Sequence, residues 1–560
     1  MSVNPARADL AAWKARASTN PYLDDRQLRA ILVRALEPDR LAALDERASV
    51  LAQAVVSVVG PAAQRYEQRL HQPELVHFDG FGERTEDVRF DATHDETGVV
   101  LWRSGIVSYS GEAGRAYEQA TLLYLWSLEG EAGHACAATC SIALARALRR
   151  ASAPPVRDRF LPGLLNANYH GAARGAQFLT EVQGGSDVGA NECVAVANGD
   201  GETFRVTGEK WFCSVANADQ FFVTARVPDG GPGTRGLGSF IVPRSVDGHP
   251  NGFSIRRLKD KLGTRSMASG EIDFEGALAW PVGPLEEGFR TAVSVVLNTS
   301  RWMTSVGSAG MMRRAVVEAT SFAHYRQAFG VPIEEFPAVR RILADMIAVA
   351  NGALHLVFAL TGLEDLVDAD RASDDDRLYY RFLVNAAKYI TSRQATTVVR
   401  SGIEILGGNG TIEDFSVLPR LYRDAIVYES WEGTHNVLAS QVLNDMRRMP
   451  IGDVVHARLG AQLDGATLGS DHAEVRVRLD ELWALARRCQ HEPNFGAWHF
   501  RDVLDEWALL AEVVYLFAGG EGDSATHLWQ SLRATYRPDR DDQLVPRVNA
   551  LIESLSVSSS

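Results

Sequence analysis

Lysine is nearly missing from this chain. Of 57 basic residues in 560 positions only five are lysines: Lys14, Lys210, Lys259, Lys261 and Lys388. The arginine excess reads as a compositional habit and is given no functional weight. The net charge of −14 denies the chain the basic surplus that draws nucleic acid or anionic lipid without specificity, though a local basic patch is compatible with it. Cysteine is sparse and odd in number, at Cys136, Cys140, Cys193, Cys213 and Cys489. That argues against a disulfide framework and suits a reducing cytosol, so the expected location is cytoplasmic. His134, Cys136 and Cys140 lie close together, but no second cluster completes a tetrahedral set, and no metal is expected. No apolar run reaches ~18 residues, so no transmembrane helix is expected. The first 20 residues hold Asp9, Lys14 and Arg16 without an apolar core, so no secretory signal is expected. Neither Phe178–Val188 nor Lys210–Ser214 contains the strand-linked dinucleotide fingerprint or the P-loop.

What remains is ordinary globular composition, 46% hydrophobic and 23% charged, in a chain too long for one core. Up to about residue 170 the pattern is mainly helical. Tyr117–Leu148 reads as a buried helical stretch, and a short helix over Val156–Leu165 follows Pro154-Pro155. Asp79–Val107 is read as an insertion or loop. Between 171 and 283 short β-branched or aromatic runs appear at Thr203–Thr207, Gln220–Ala225, Gly238–Val242, Phe253–Ile255 and Glu271–Phe274. Glycine-rich turns lie among them, which predicts a small antiparallel β-domain. Helical periodicity returns over Phe289–His324, Pro337–Leu363, Asp375–Ser401 and Trp431–Met446, a four-helix bundle. Beyond Pro450 a helical extension contains candidate helices at Ala473–Arg488 and Phe500–Phe517, and Ser558–Ser560 reads as a frayed tail. The expected class is therefore α+β and multidomain. It comprises a helical domain (1–170), a β-domain (171–283), a bundle (284–446) and a helical extension (447–560).

Three stretches carry chemistry. Phe178–Val188 combines Gly184 and Gly185, which let backbone approach a flat ligand, with the hydroxyls of Thr180 and Ser186; its bland reading is a glycine turn. Lys210-Trp211-Phe212-Cys213-Ser214 places an aromatic pair and a hydroxyl at a strand end. Trp431-Glu432-Gly433-Thr434-His435-Asn436 is either a helix-to-helix turn with Thr434 as cap or a carboxylate base beside a cofactor.

Thr180-Glu181 with Gly185-Ser186-Asp187, Gly208–Trp211, Arg326–Gly330, Leu406–Gly410 and Trp431–Thr434 occur in the order found in the acyl-CoA dehydrogenase family, which the chain resembles across residues ~110–445. The resemblance implies FAD. It assigns Phe178, Leu179, Thr180, Gly185, Ser186, Phe212 and Ser214 to the flavin side of the β-domain. Arg326 and Phe329 are assigned to a neighbouring subunit's FAD, Glu404, Gly407 and Gly408 to the turn near its pyrophosphate, and Thr434 and Asn436 to further flavin contacts. Glu432 takes the position of the catalytic base, and Arg301, Ser186 and Gly433 fall on the substrate side. An acyl-CoA or related thioester, an electron-transfer flavoprotein or other acceptor, and a homotetramer built as a dimer of dimers follow as implied partners.

Met311–Ala315, Glu404 and Trp431 resemble the adaptive-response branch of the AidB type, whose helical extension has been linked to DNA. Here the segment from Ile451 to Ser560 holds 10 basic and 17 acidic residues, a net of −7. A patch at Arg533, Arg537 and Arg540 is flanked by Asp539, Asp541 and Asp542. A solvated face is therefore preferred, and DNA binding is disfavoured. Dehydrogenation of an acyl thioester is the leading expectation. The alternatives are a DNA-associated protective flavoprotein, an oxidase and a membrane-leaning long-chain enzyme.

Overall fold

The computed structural model describes residues 4–17, 19–466, 470–534 and 544–555. Arg537, Asp539, Arg540, Asp541, Asp542 and Ser558–Ser560 lie outside them. The described residues fall into two compact units. One is drawn from Met1–Ser57, Ser127–Glu129 and Thr304–Ser560, the other from Val58–Trp126 and Gly130–Met303.

In the second unit the strands run β1 (Glu74–Phe78), β2 (Arg84–Arg89), β3 (Gly175–Phe178), β4 (Val194–Ala197), β5 (Phe204–Ser214), β6 (Gln220–Arg226), β7 (Leu237–Pro243), β8 (Ser245–Val246), β9 (His249–Pro250), β10 (Phe253–Leu258) and β11 (Ser269–Pro281). Seven of them form one sheet in the order β10-β11-β5-β4-β6-β3, with β7 bridging β11 and β6. The expectation of an antiparallel domain needs correcting at one edge. β3 runs parallel to β6, Gly175 opposite Gln220 and Phe178 opposite Val223, and β4 meets β6 in parallel at Val194 and Arg226. No tight turn joins β3 to β6, so nothing obliges that pair to be antiparallel.

The helix Ala132–Ala151 covers this sheet. Ala143, Leu144, Ala147 and Leu148 pack with Phe160, Phe222, Ile241 and Trp280 in one apolar core. The Tyr117–Leu148 stretch is two helices, not one, Ala116–Ser127 and Ala132–Ala151. Gly130 takes a positive φ of 61°, and the Glu131 carboxylate caps the second helix through the amides of Gly133 and His134, each at 2.9 Å. Asp79–Val107, read as a loop, contains β2 and the helix His94–Arg103, while its Asp79–Glu83 stretch is the hairpin tip between β1 and β2. Charged side chains along β2 had masked its alternation, burial pattern notwithstanding: only Glu86 and Val88 point inward.

In the first unit the bundle contains one helix more than expected. Pro337–Asp368, Asp374–Leu406, Leu418–Ser430 and His435–Arg448 follow the helix that ends at Tyr325. The Trp431–Met446 segment thus begins only at His435, because Trp431 closes the preceding helix and Glu432-Gly433 form the turn. Pro337–Asp368 is long and apolar enough to cross a membrane, contrary to the sequence expectation, but 78% of its apolar window is buried inside the fold. That apolarity is used within the bundle core. The extension adds Ile451–Asp464, Ser470–His491, Pro493–Ala518, Gly522–Ala534 and Leu544–Leu555. Trp507 lies against Phe382 at 5.1 Å, and Gln394 donates to the buried Glu512 at 2.8 Å, so the extension is packed on the bundle.

The Ala132–Ala151 helix closely approaches the sheet at Gly175, whose amide donates to Ser141 Oγ at 2.8 Å. A Cβ there would stand 2.9 Å from Ser141 Cα and 3.2 Å from the Cys140 carbonyl oxygen. Gly175→Ala should destabilise the protein by about 1–3 kcal/mol, read as a lower denaturant midpoint; an unchanged midpoint would show that the helix can move away freely.

Candidate active site

In the second unit, the loop that leaves β3 is built around one buried ion pair. Lys210 on β5 is without solvent exposure and donates to Glu181 Oε1 at 2.6 Å. The same carboxylate accepts the amides of Glu192 at 2.6 Å and Cys193 at 3.2 Å, and the Gln183 amide group at 2.8 Å. Such saturation is what a buried carboxylate requires. Phe178 is buried against Phe221 at 4.9 Å. Leu179 is buried too, and its carbonyl accepts Asn191 Nδ2 at 2.6 Å. The Thr180 carbonyl accepts the Trp211 amide at 2.9 Å, which brings the loop beside Trp211 and Phe212. Gly185 and Ser186 are exposed at the loop tip, Ser214 is half-buried, and Phe212 offers a ring that is 56% exposed. Lys259 Nζ lies 3.5 Å from the Trp211 ring centroid and 4.7 Å from that of Phe212, while bonded to Glu271 at 2.6 Å. Arg301, in the helix beginning at Asn298, is buried, with Nη1 at 3.5 Å from Asn298 Oδ1.

In the first unit, Glu432 occupies a turn between two helices. It is half-buried and has φ of 55°, a left-handed backbone that a residue with a Cβ rarely adopts. Gly433 follows at φ 109°. Trp431 stacks on Tyr428 at 4.8 Å. Lys388, wholly buried on the Asp374–Leu406 helix, donates to the Glu429 and Gly433 carbonyls, both at 2.9 Å, so one ammonium group brackets the turn. Outside the bracket, Glu429 bonds His435 Nε2 at 2.9 Å and accepts Thr396 Oγ1 at 2.5 Å. Thr434 stands at the N-cap, as its sequence position suggests, but without a side-chain cap bond; it is exposed, as is Asn436. Asn436 Oδ1 accepts Arg501 Nη1 at 2.8 Å.

Two further segments of this unit are exposed. Arg326 precedes a small hairpin, Gln327–Ala328 with Val331–Pro332, whose tip carries Phe329 at 98% exposure and φ of 52°. Glu404 lies exposed in the last turn of its helix, and Gly407, at φ 62°, ends it. A Cβ on Gly407 or Gly408 would meet nothing within 4 Å, which leaves open room over that backbone. Among the described residues no group of three or more His, Cys, Asp or Glu could hold a metal. Sequence reasoning missed Lys210, Lys388 and Arg501 as supports of these segments; the scarcity of lysine was the available signal for the first two.

These features belong to an acyl-CoA dehydrogenase-like oxidoreductase. Residues 286–446 match the acyl-CoA dehydrogenase C-terminal domain, 176–277 the middle domain and 13–171 the N-terminal domain of the adaptive response protein AidB. The chain belongs to the acyl-CoA dehydrogenase family. It is 33% identical to the putative acyl-CoA dehydrogenase AidB of Escherichia coli over 392 residues, 68% of this chain and 70% of that one. The structure of Caenorhabditis elegans ACDH-11 in complex with C11-CoA is similar at a TM-score of 0.84 and 26% identity, covering 97% of this chain and 96% of that one. The fold is shared with a Bacillus anthracis acyl-CoA dehydrogenase complexed with FAD, at a TM-score of 0.68 and 19% identity, covering 93% and 87%.

Burial pushes the Glu429 carboxyl up, but the bonds from His435 and Thr396 outweigh it and hold the group below its ordinary 4.5. A depressed folded value means that ionised Glu429 contributes stability above about pH 4.5, and that the contribution is lost as the pH falls. The gap in thermal midpoint between the wild type and Glu429→Gln should therefore be full at neutral pH and shrink below about pH 4.5. A gap independent of pH would contradict this.

Proposed function

We propose that the protein is an FAD-dependent dehydrogenase that introduces an α,β double bond into an acyl thioester, with Glu432 as the base. The observation that carries this reading is the turn itself: a carboxylate held in strained backbone by a buried ammonium, inside the segment that matches the acyl-CoA dehydrogenase C-terminal domain. The C11-CoA bound to the C. elegans relative supports an acyl-CoA as substrate class.

The residues present fit a flavin. The exposed Phe212 ring offers an apolar face, Ser186 and Ser214 offer hydroxyls, and the open backbone at Gly407 and Gly408 leaves room for a phosphate. Phe178–Ser186, Phe212 and Ser214 in the second unit, and separately Glu404, Gly407, Gly408, Thr434 and Asn436 in the first, are the proposed FAD-contacting residues; FAD, when bound, would supply the acceptor for the hydride leaving Cβ. Glu432 takes the Cα proton, and with the hydride accepted by a bound flavin the thioester would leave as the enoyl thioester. Backbone N–H groups of the turn supply donors for the charge that develops on the thioester oxygen. Arg301, Ser186 and Gly433 are assigned to the substrate side. Electrons then pass to an electron-transfer flavoprotein or another acceptor.

The four-part division at 170, 283 and 446 is proposed as the functional one. Phe329, an almost wholly exposed aromatic in left-handed backbone beside Arg326, supports a subunit contact and hence a homotetramer. Five free cysteines support a cytoplasmic setting. A second reading, a protective role in the adaptive response, is supported by the N-terminal match; the acidic extension weighs against direct DNA contact.

Glu432→Gln should keep FAD bound and slow acyl-CoA-dependent flavin reduction by roughly 10²–10⁴-fold, measured anaerobically from the flavin absorbance. Reduction at the wild-type rate would remove Glu432 from the role of base.

A further inference from the structure

The Pro493–Ala518 helix of the extension reaches the segment that follows the base. Arg501 donates to Asn436 Oδ1 at 2.8 Å. One turn further, Asp505 accepts Arg393 Nη1, and Arg393 Nη1 also lies 3.0 Å from the Tyr389 hydroxyl. Tyr389 is fully buried, with Arg393 donating to its hydroxyl. Burial and the Asp505 carboxylate push that hydroxyl up to about 12, which keeps it protonated as a donor. The Tyr389 ring meets the His435 ring edge-on at 5.3 Å, and His435 is the residue bonded to Glu429. One residue of the extension helix, Arg501, thus bonds the first turn after Glu432 directly, and a second, Asp505, is linked to it through Arg393 and Tyr389.

A guanidinium only donates, so Asn436 must present Oδ1 to Arg501. Its NH2 group is thereby aimed elsewhere, as a donor for an acceptor oxygen. Left-handed backbone at a glutamate persists only where the surroundings hold it from several directions. Lys388 holds the turn from within the bundle; Arg501 holds the helix start that follows it through Asn436, and Asp505 is linked to that start through Arg393 and the Tyr389 ring packed on His435.

We propose that the C-terminal extension is a positioning element for the base: Arg501 and Asp505 lock the first turn of the His435–Arg448 helix and, through it, the backbone of Glu432. The proposal rests on the reading of Glu432 as the base. Arg501→Ala, Arg501→Lys and Asp505→Asn in the full-length, FAD-loaded protein test it, with hydrogen exchange over residues 431–436 and anaerobic flavin reduction by a saturating acyl-CoA as readouts. Arg501→Ala and Asp505→Asn should speed exchange over 431–436 and slow reduction roughly 10-fold, with FAD content and thermal midpoint unchanged. Arg501→Lys, which keeps a donor, should recover most of the rate. Unchanged exchange and rate in both Arg501→Ala and Asp505→Asn would overturn the proposal, as would a slowing seen only with loss of FAD and a lower midpoint. A wild type that no acyl-CoA reduces would instead defeat the reading of Glu432, and the exchange over 431–436 would still decide the positioning.

Discussion

Two ammonium groups with no exposure to solvent, Lys210 and Lys388, hold the segments on which the chemistry is proposed to depend. Moving an ammonium out of water costs several kcal/mol even after relaxation, so each must be surrounded by acceptors to persist. Lys210 meets the Glu181 carboxylate, and Lys388 meets two backbone carbonyls on either side of Glu432. Lys261 works in the same way near the end of the sheet, donating to the Thr264 and Met267 carbonyls at 2.7 and 3.0 Å and to Ser269 Oγ at 3.0 Å. A compact ammonium can point three donors at acceptors crowded into one tight loop. A planar guanidinium spreads its donors along a fork and suits flat, bidentate partners. Arg381 with Asp445 and Arg478 with Glu506 are such partners, each paired through two bonds.

The strain at Glu432 gives that arrangement a purpose. A non-glycine residue in left-handed backbone costs about 1–3 kcal/mol, and helix packing alone would not select it. Between Ser430, which ends one helix, and His435, which begins the next, the chain reverses in a few residues. The carboxylate is placed on a turn whose two ends are tied to the Asp374–Leu406 helix by Lys388, with Thr396 on the same helix gripping Glu429. A general base must meet its proton at hydrogen-bond range, and rigid helices position such a group better than a free loop. The cost of the backbone and the cost of the buried ammonium serve one geometric end.

Much of this was legible in the residues. The run of β-branched and aromatic segments between Thr203 and Phe274 marked the sheet, because alternation and turn glycines report on local backbone. The motif order marked the family, whereas the helical pattern over Trp431–Met446 ran through Glu432 and hid the turn on which it sits. Tertiary choices were not legible. Gly130 breaks the Tyr117–Leu148 pattern only because Glu131 is available to cap the second helix. β3 lies parallel to β6, a pairing of strands separated in the chain by β4 and β5 that no local pattern contains. Leu418–Ser430 was hidden between two motifs whose glycines drew attention to turns. The scarce lysines were set aside as composition, whereas four of the five act as ties within loops or strands near the candidate residues. What makes a lysine necessary is convergence of acceptors in space, which spacing along the chain does not show.

The proposed function requires Glu432 to act on an acyl thioester with a flavin as the oxidant. Anaerobic titration of the FAD-loaded protein with a series of saturated acyl-CoA thioesters of graded length tests it most directly. The flavin absorbance should bleach with at least one member of the series, in proportion to thioester added, with the matching enoyl thioester as product. An oxidised spectrum that persists across the whole series would contradict it.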